Sequence, residues 1–115
     1  MKLQTIIYVT DMVASVAFYE SLGLNRRDSG EPDEHWNQFV IGDAALSLHL
    51  DDPADLSPVG RRAEVWLVLP VDGTLDALHA SLSNAGEIAD TGFGRHFATA
   101  DPDGQPVFIM ENPGA

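Results

Sequence analysis

Apolar and polar positions alternate from Leu3 to Val9 in a β-branched run, which predicts a strand. Asp11 follows as an N-cap, and a helical stripe of Val13, Val16, Ala17 and Tyr19-Glu20 runs to about Leu22, where Gly23 is a natural stop. Short strands are predicted near Asn25–Asp28, His35–Ile41 and Ala44–Leu50, with Gly42-Asp43 as a hairpin turn. Prolines, a glycine and several acids between Asp51 and Arg62 read as a linker. The plan then repeats. Glu64 to Val71 is strand-like, and Asp72 opens a helix that carries Leu75, Leu78 and Leu82 and ends at Ala85-Gly86. Three strands follow, at about Ile88–Asp90, Arg95–Ala100 and Pro106–Glu111. Asp101-Pro-Asp-Gly104 is the turn between the last two: Pro102 presets φ, and Gly104 supplies a positive one.

The expectation is one α+β domain of 115 residues, with module one at 1–51, a linker at 52–62 and module two at 63–115. Each module is β-α-β-β-β. One helix covers only one face of its sheet, so the two modules are expected to form a curved eight-stranded mixed sheet with helices on the outer face and a concavity within. Strand parity assigns the faces. Thr5, Ile7, Val9, Leu46, Leu48, Leu50, Val65, Leu67 and Leu69 suit the helix side. The opposite parity sends Gln4, Tyr8, Ser47, His49, Glu64, Trp66, Phe108 and Met110 to the concave face. That wall is mostly apolar and ring-rich with a few polar groups, the usual make-up of a small-molecule site.

Composition narrows the partners. Eighteen Asp and Glu against six Lys and Arg give a formal charge of −12, which disfavours nucleic acid and anionic membrane and favours a cationic small molecule. The same acidity also serves solubility. The absence of cysteine excludes disulfides, thiolate metal sites and cysteine nucleophiles. No run reads as a signal peptide or membrane span, so a cytoplasmic protein is expected. Gly92-Phe-Gly94 is a turn with no helix after it, unlike a dinucleotide fingerprint, and no nucleophile–base pair stands out.

The run Ile7-Tyr-Val-Thr-Asp-Met-Val-Ala-Ser-Val-Ala-Phe-Tyr-Glu-Ser-Leu-Gly-Leu24, with Arg95-His-Phe-Ala-Thr-Ala-Asp-Pro-Asp-Gly104, resembles the vicinal oxygen chelate superfamily. This is the family of glyoxalases, bleomycin resistance proteins and extradiol dioxygenases, and the resemblance spans nearly the whole chain. It implies repeated β-α-β-β-β modules and says little about the reaction. In metalloenzymes of the family, His, Gln or Glu ligands stand on the first and last strands of each module. Those positions fall here on Gln4, Ser47, Glu64 and Phe108, of which Phe108 binds no metal and Ser47 is a poor ligand.

Gly42-Asp-Ala-Ala-Leu-Ser-Leu-His49, Glu64-Val-Trp-Leu-Val-Leu69 with Asp76-Ala-Leu-His79, and Gly94-Arg-His-Phe-Ala98 resemble the bleomycin-resistance branch more closely. That resemblance implies an acidic, metal-free homodimer that sequesters a cationic or aromatic compound, with a role in antibiotic resistance. The expected ligand-binding residues are Tyr8, Trp36, His49, Glu64, Trp66, Phe108 and Met110, with no catalytic residue and no cofactor. Trp36 is included for its flat ring, without a parity assignment. The alternative is a glyoxalase-type lyase, isomerase or dioxygenase in which Gln4, His49 and Glu64 hold one divalent ion.

Several of these residues also have plainer readings. Glu64 could pair with Arg61, Arg62 or Arg95, and Phe108 could be ordinary packing. His49 could bond Ser47 or Gln4. His79 reads as solvated, Arg95 as a clamp on the last hairpin, and Asp51, Asp52 and Asp55 as a solvated loop.

Overall fold

The structure, a computed structural model, describes residues 3–51, 64–90, 92 and 94–113. The expected linker, with Asp52, Asp55, Arg61 and Arg62, lies outside the described residues. Two compact units divide at residue 62, and each is a four-stranded mixed sheet with one helix on one face. The fold class is α+β.

In the first unit the order along the chain is β1 (Gln4–Val9), α1 (Met12–Ser21), β2 (Asn25–Arg26), β3 (Trp36–Ile41) and β4 (Ala44–Leu50). The strands lie in the order β1-β4-β3-β2, with β1 parallel to β4 and the other pairs antiparallel. The parallel pair requires a crossover, and α1 supplies part of it. Asp11 caps α1 as its sequence position predicts, its carboxylate accepting from the Ala14 N–H at 3.0 Å. Gly23, at φ +91°, lies just past the helix.

The buried stripe of α1 is Met12, Ser15, Val16 and Tyr19. The expected stripe had included Val13, which is 74% exposed. Apolar residues occur all round this short helix, so spacing alone does not choose the inward face; docking of Tyr19 against Phe39, ring centroids 6.0 Å apart, does. Ile7, Val9, Phe39, Leu46 and Leu48 complete that core.

The second unit repeats the plan with β5 (Val65–Leu69), α2 (Thr74–Ser81), β6 (Ala89–Asp90), β7 (Arg95–Ala100) and β8 (Pro106–Glu111). Its order is β5-β8-β7-β6, with β5 parallel to β8. Val65, Leu75, Phe97, Val107 and Ile109 fill the core. The turn at Asp101 forms as its sequence demands: the Asp101 carboxylate accepts from the Asp103 and Gln105 N–H groups, each at 2.9 Å, and Gly104 stands at φ +82°.

Two expectations for α2 are corrected. The helix ends at Ser81, and Leu82 is already extended. Nor is His79 fully solvated: it is half-buried, its ring meets Phe97 edge-on at 4.9 Å, and its Nε2 lies 2.8 Å from the Gly86 carbonyl oxygen.

Arg95 clamps α2 to the sheet. Its guanidinium donates to both carboxylate oxygens of Asp76, at 2.6 and 3.1 Å, and to Glu111 Oε1 at 3.1 Å. Glu111 is buried, and Arg95 is the counter-charge that offsets its desolvation. The hydrogen bonds from Arg95 hold the Asp76 carboxyl below the usual carboxylate range. A carboxyl depressed by folding contributes stability above its unfolded pKa and loses it as pH falls through the folded value. The melting temperature is therefore expected to decline below about pH 4, and Asp76→Asn to blunt that decline, as read by thermal denaturation across pH. Arg95→Met should cost more than Asp76→Asn, because it strands Glu111.

Candidate functional site

The face of each sheet away from its helix carries the residues of interest. In the first unit, register alone fixes who meets whom. Trp36 pairs with His49, Gln38 with Ser47, Val40 with Ala45, and Tyr8 with His49 across the parallel pair. Trp36 therefore shares a face with Tyr8, Ser47 and His49, settling the parity left open by the sequence. The His49 ring is flanked by Tyr8 at 5.2 Å and by Trp36, edge-on, at 5.8 Å. Its Nδ1 lies 2.8 Å from the Leu50 carbonyl oxygen; in the neutral ring this contact places the proton on Nδ1 and makes Nε2 an acceptor.

The loop before β3 orients Trp36. Asp33 Oδ2 accepts from the backbone N–H groups of His35 and Trp36 at 2.9 and 3.0 Å, which holds its carboxyl below the usual range. Asn37 ties the same loop down, accepting from the Asp33 N–H and donating to the Asp33 carbonyl.

Gln38 is the residue that sequence reasoning passed over. Its Nε2 donates to Gln4 Oε1 at 2.9 Å and to Ser47 Oγ at 3.1 Å, and its Oε1 accepts from Arg27 Nε at 2.5 Å. Ser47 is fully buried beneath this network. The register could have been counted from the two-residue turn Gly42-Asp43, which sets Ile41 opposite Ala44 and hence Gln38 opposite Ser47.

In the second unit the corresponding face carries Trp66 stacked on Phe108, centroids 4.3 Å apart and planes 8° from parallel. The His96 ring lies 5.7 Å from Trp66, and His96 is opposite Met110 in register. The Trp66 indole N–H donates to Glu64 Oε2 at 2.9 Å. Among the described residues this indole is the partner of Glu64, and Arg95 is committed elsewhere. His96, given no role by the sequence, joins the ring cluster through its register.

The donors can be tested against a divalent ion. Of the two ligand positions in the first unit, Gln4 Oε1 and Ser47 Oγ, both accept from one amide nitrogen, that of Gln38. In the second, Glu64 accepts from an indole and Phe108 offers no donor atom. Recruiting His49 beside Gln4 also fails geometrically. Gln4 pairs with Ala45 and Tyr8 with His49, so the two side chains leave the sheet four residues apart, about 13 Å at ~3.3 Å per residue. Zinc–ligand distances of about 2 Å do not bridge that gap from side chains that stand upright on the sheet. Among the described residues no group of three His, Cys, Asp or Glu side chains is placed to hold a metal. Within each unit, the described residues do not assemble three donors for the ion.

A cleft of about 300 Å³ opens beside Trp36, between the loop that follows β2 and the start of β3; Arg27, Glu31 and Gln38 are among its lining residues.

A family-wide sequence model, Glyoxalase/Bleomycin resistance protein/Dioxygenase superfamily, matches residues 3–108, and the chain belongs to that superfamily. Its fold is also that of solved structures. An antibiotic binding protein from Streptomyces sp. CB03234 is 25% identical with a TM-score of 0.69, covering 96% of this chain and 94% of that one. The bleomycin-binding protein of bleomycin-producing Streptomyces verticillus, solved with copper(II)-bleomycin, is 20% identical with a TM-score of 0.68, covering 97% and 96%. A lactoylglutathione lyase from Agrobacterium tumefaciens is 17% identical with a TM-score of 0.70, covering 96% and 92%. Comparison with curated proteins returns no match. No helix among the described residues is long and apolar enough to cross a membrane.

Proposed function

We propose that this protein binds a small planar, cationic or aromatic compound on the ring-lined faces of its sheets, without a metal and without chemistry, in the manner of the bleomycin-resistance branch. One observation carries the reading: the oxygens at three of the family's four ligand positions accept hydrogen bonds from the protein's own Gln38 amide and Trp66 indole, and the fourth position is Phe108. Around these plugged positions stand Tyr8, Trp36 and His49 in one unit, and Trp66, Phe108, Met110 and His96 in the other. Rings with exposed faces bind flat ligands by stacking and cations by their quadrupole, at about 0.5–2 kcal/mol per contact. Glu64 and the net charge of −12 favour a positive ligand. The likeness to an antibiotic binding protein at 25% identity supports the same reading. A homodimer, a cytoplasmic setting and a protective role by sequestration belong to it.

The test has two arms. Protein purified without chelator is expected to carry no stoichiometric divalent metal, and proflavine, a planar aromatic cation, to raise its melting temperature. Stoichiometric metal lost on His49→Ala or Glu64→Ala would overturn the proposal in favour of a glyoxalase-type enzyme. So would failure of every cationic aromatic compound tried to stabilise the fold. Light scattering of the purified protein checks the dimer.

A further inference from the structure

The cleft beside Trp36 holds an unusual set of charges. Arg27, Asp28, Glu31, Asp33, Trp36 and Gln38 all line it. Opposite charges sharing one small cleft would ordinarily neutralise each other. Here no carboxylate oxygen of the described residues lies within 4.0 Å of the Arg27 guanidinium. Arg27 is held instead through Nε, by the carbonyl oxygen of the Gln38 side chain. That contact fixes the plane of the guanidinium and leaves its two terminal nitrogens in the end-on fork that matches a carboxylate. Asp33 is engaged by the backbone of His35 and Trp36, so it serves to position the indole. Asp28 and Glu31, both exposed, have no hydrogen-bond partner among the described residues. Arg26 also lines the cleft, but its guanidinium is engaged by the Gly30 carbonyl oxygen and by Glu20. The cleft thus offers one cation with its terminal nitrogens uncommitted, two carboxylates and a half-exposed indole at its edge.

We propose that this cleft is a charge-reading subsite for an aromatic zwitterion: a compound whose ring lies on Trp36, whose carboxylate is held by Arg27, and whose ammonium group faces Glu31 and Asp28. The proposal rests on the ring-binding reading above and narrows its ligand class. A ligand bearing only a cation meets the carboxylates but leaves the Arg27 fork unanswered. One bearing only an anion has the reverse defect.

Three compounds that share one ring and differ only in charge test this by calorimetry on the intact protein. They are 2-naphthylalanine (zwitterion), its carboxamide (cation) and its N-acetyl derivative (anion). The zwitterion is expected to bind about tenfold more tightly than either relative, the contribution of one charge-assisted contact. Arg27→Gln should bring the zwitterion to the level of the carboxamide, and Glu31→Gln should bring it towards the N-acetyl compound. Trp36→Ala should weaken all three. Unchanged melting temperatures for the Arg27 and Glu31 variants separate these effects from misfolding. Equal affinities for zwitterion and carboxamide would overturn the subsite, as would a preference that survives Arg27→Gln. If proflavine binds and none of the three does, the subsite is wrong and the broader reading stands. If proflavine binding is indifferent to both Trp36→Ala and Trp66→Ala, the broader reading falls as well.

Discussion

Gly94→Ala is expected to be the most damaging single substitution in the second unit. A Cβ at this position would stand 2.3 Å from the backbone carbonyl oxygen of Glu111, a contact that no rotamer change relieves because the backbone fixes where the Cβ stands and its partner is main chain. The residue also sits at φ +134°, a conformation that L side chains rarely adopt. Strained φ/ψ costs about 1–3 kcal/mol, and overpacking typically costs a similar amount. Together, at about 2–6 kcal/mol, these reach the lower end of the total stability of a small domain, about 5–15 kcal/mol. Gly104→Ala is the control: it shares a positive φ of +82°, but its Cβ would meet nothing within 4 Å. Urea denaturation followed by circular dichroism should show Gly94→Ala far more destabilised than Gly104→Ala. Equal midpoints would show that β7 and β8 are not as closely apposed at Gly94 as the structure has them.

The largest effect on binding is expected at Trp66. Its ring lies flat on Phe108 and its N–H is spent on Glu64, so its orientation is set from two directions before any ligand arrives. Such preorganisation lowers the entropic cost of stacking a further ring. It is 42% exposed, which leaves surface for that purpose. Trp66→Ala removes the stack and the donor to Glu64 together, and affinity for proflavine is expected to fall about ten- to thirtyfold, some 1.4–2 kcal/mol. Trp66→Phe keeps a ring but loses the indole N–H, so an intermediate loss is expected. Fluorescence titration of proflavine measures both. Undiminished binding to Trp66→Ala would remove this face from the site.

Much of the architecture is legible in the chain because it rests on local rules. Asp11 and Gly23 bracket α1, Asp101-Pro-Asp-Gly104 and Gly42-Asp43 set their turns, and period-two alternation sorts Ile7, Leu46, Leu48, Val65, Val107 and Ile109 from their outward neighbours. Each of these signals acts within a few residues. The repeat of β-α-β-β-β follows from their order alone.

What stayed hidden depends on pairs distant in sequence. Val13 and Met12 are equally apolar, and only the docking of α1 against Phe39 decides that Met12 goes inward. The short α2 is set by Leu82 turning extended, which leucine composition does not announce. The binding face shows the same division. Parity places Gln4, Tyr8, Ser47, His49, Trp66 and Phe108 on one side of their strands. It does not reveal that Gln38 spans Gln4 and Ser47, that the Trp66 indole answers Glu64, or that Arg27 and Glu31 share a cleft without pairing with each other. Alternation is a property of a single strand and is written in the chain. Which side chain satisfies which polar atom depends on how separate strands come to lie together, and only the tertiary structure decides it.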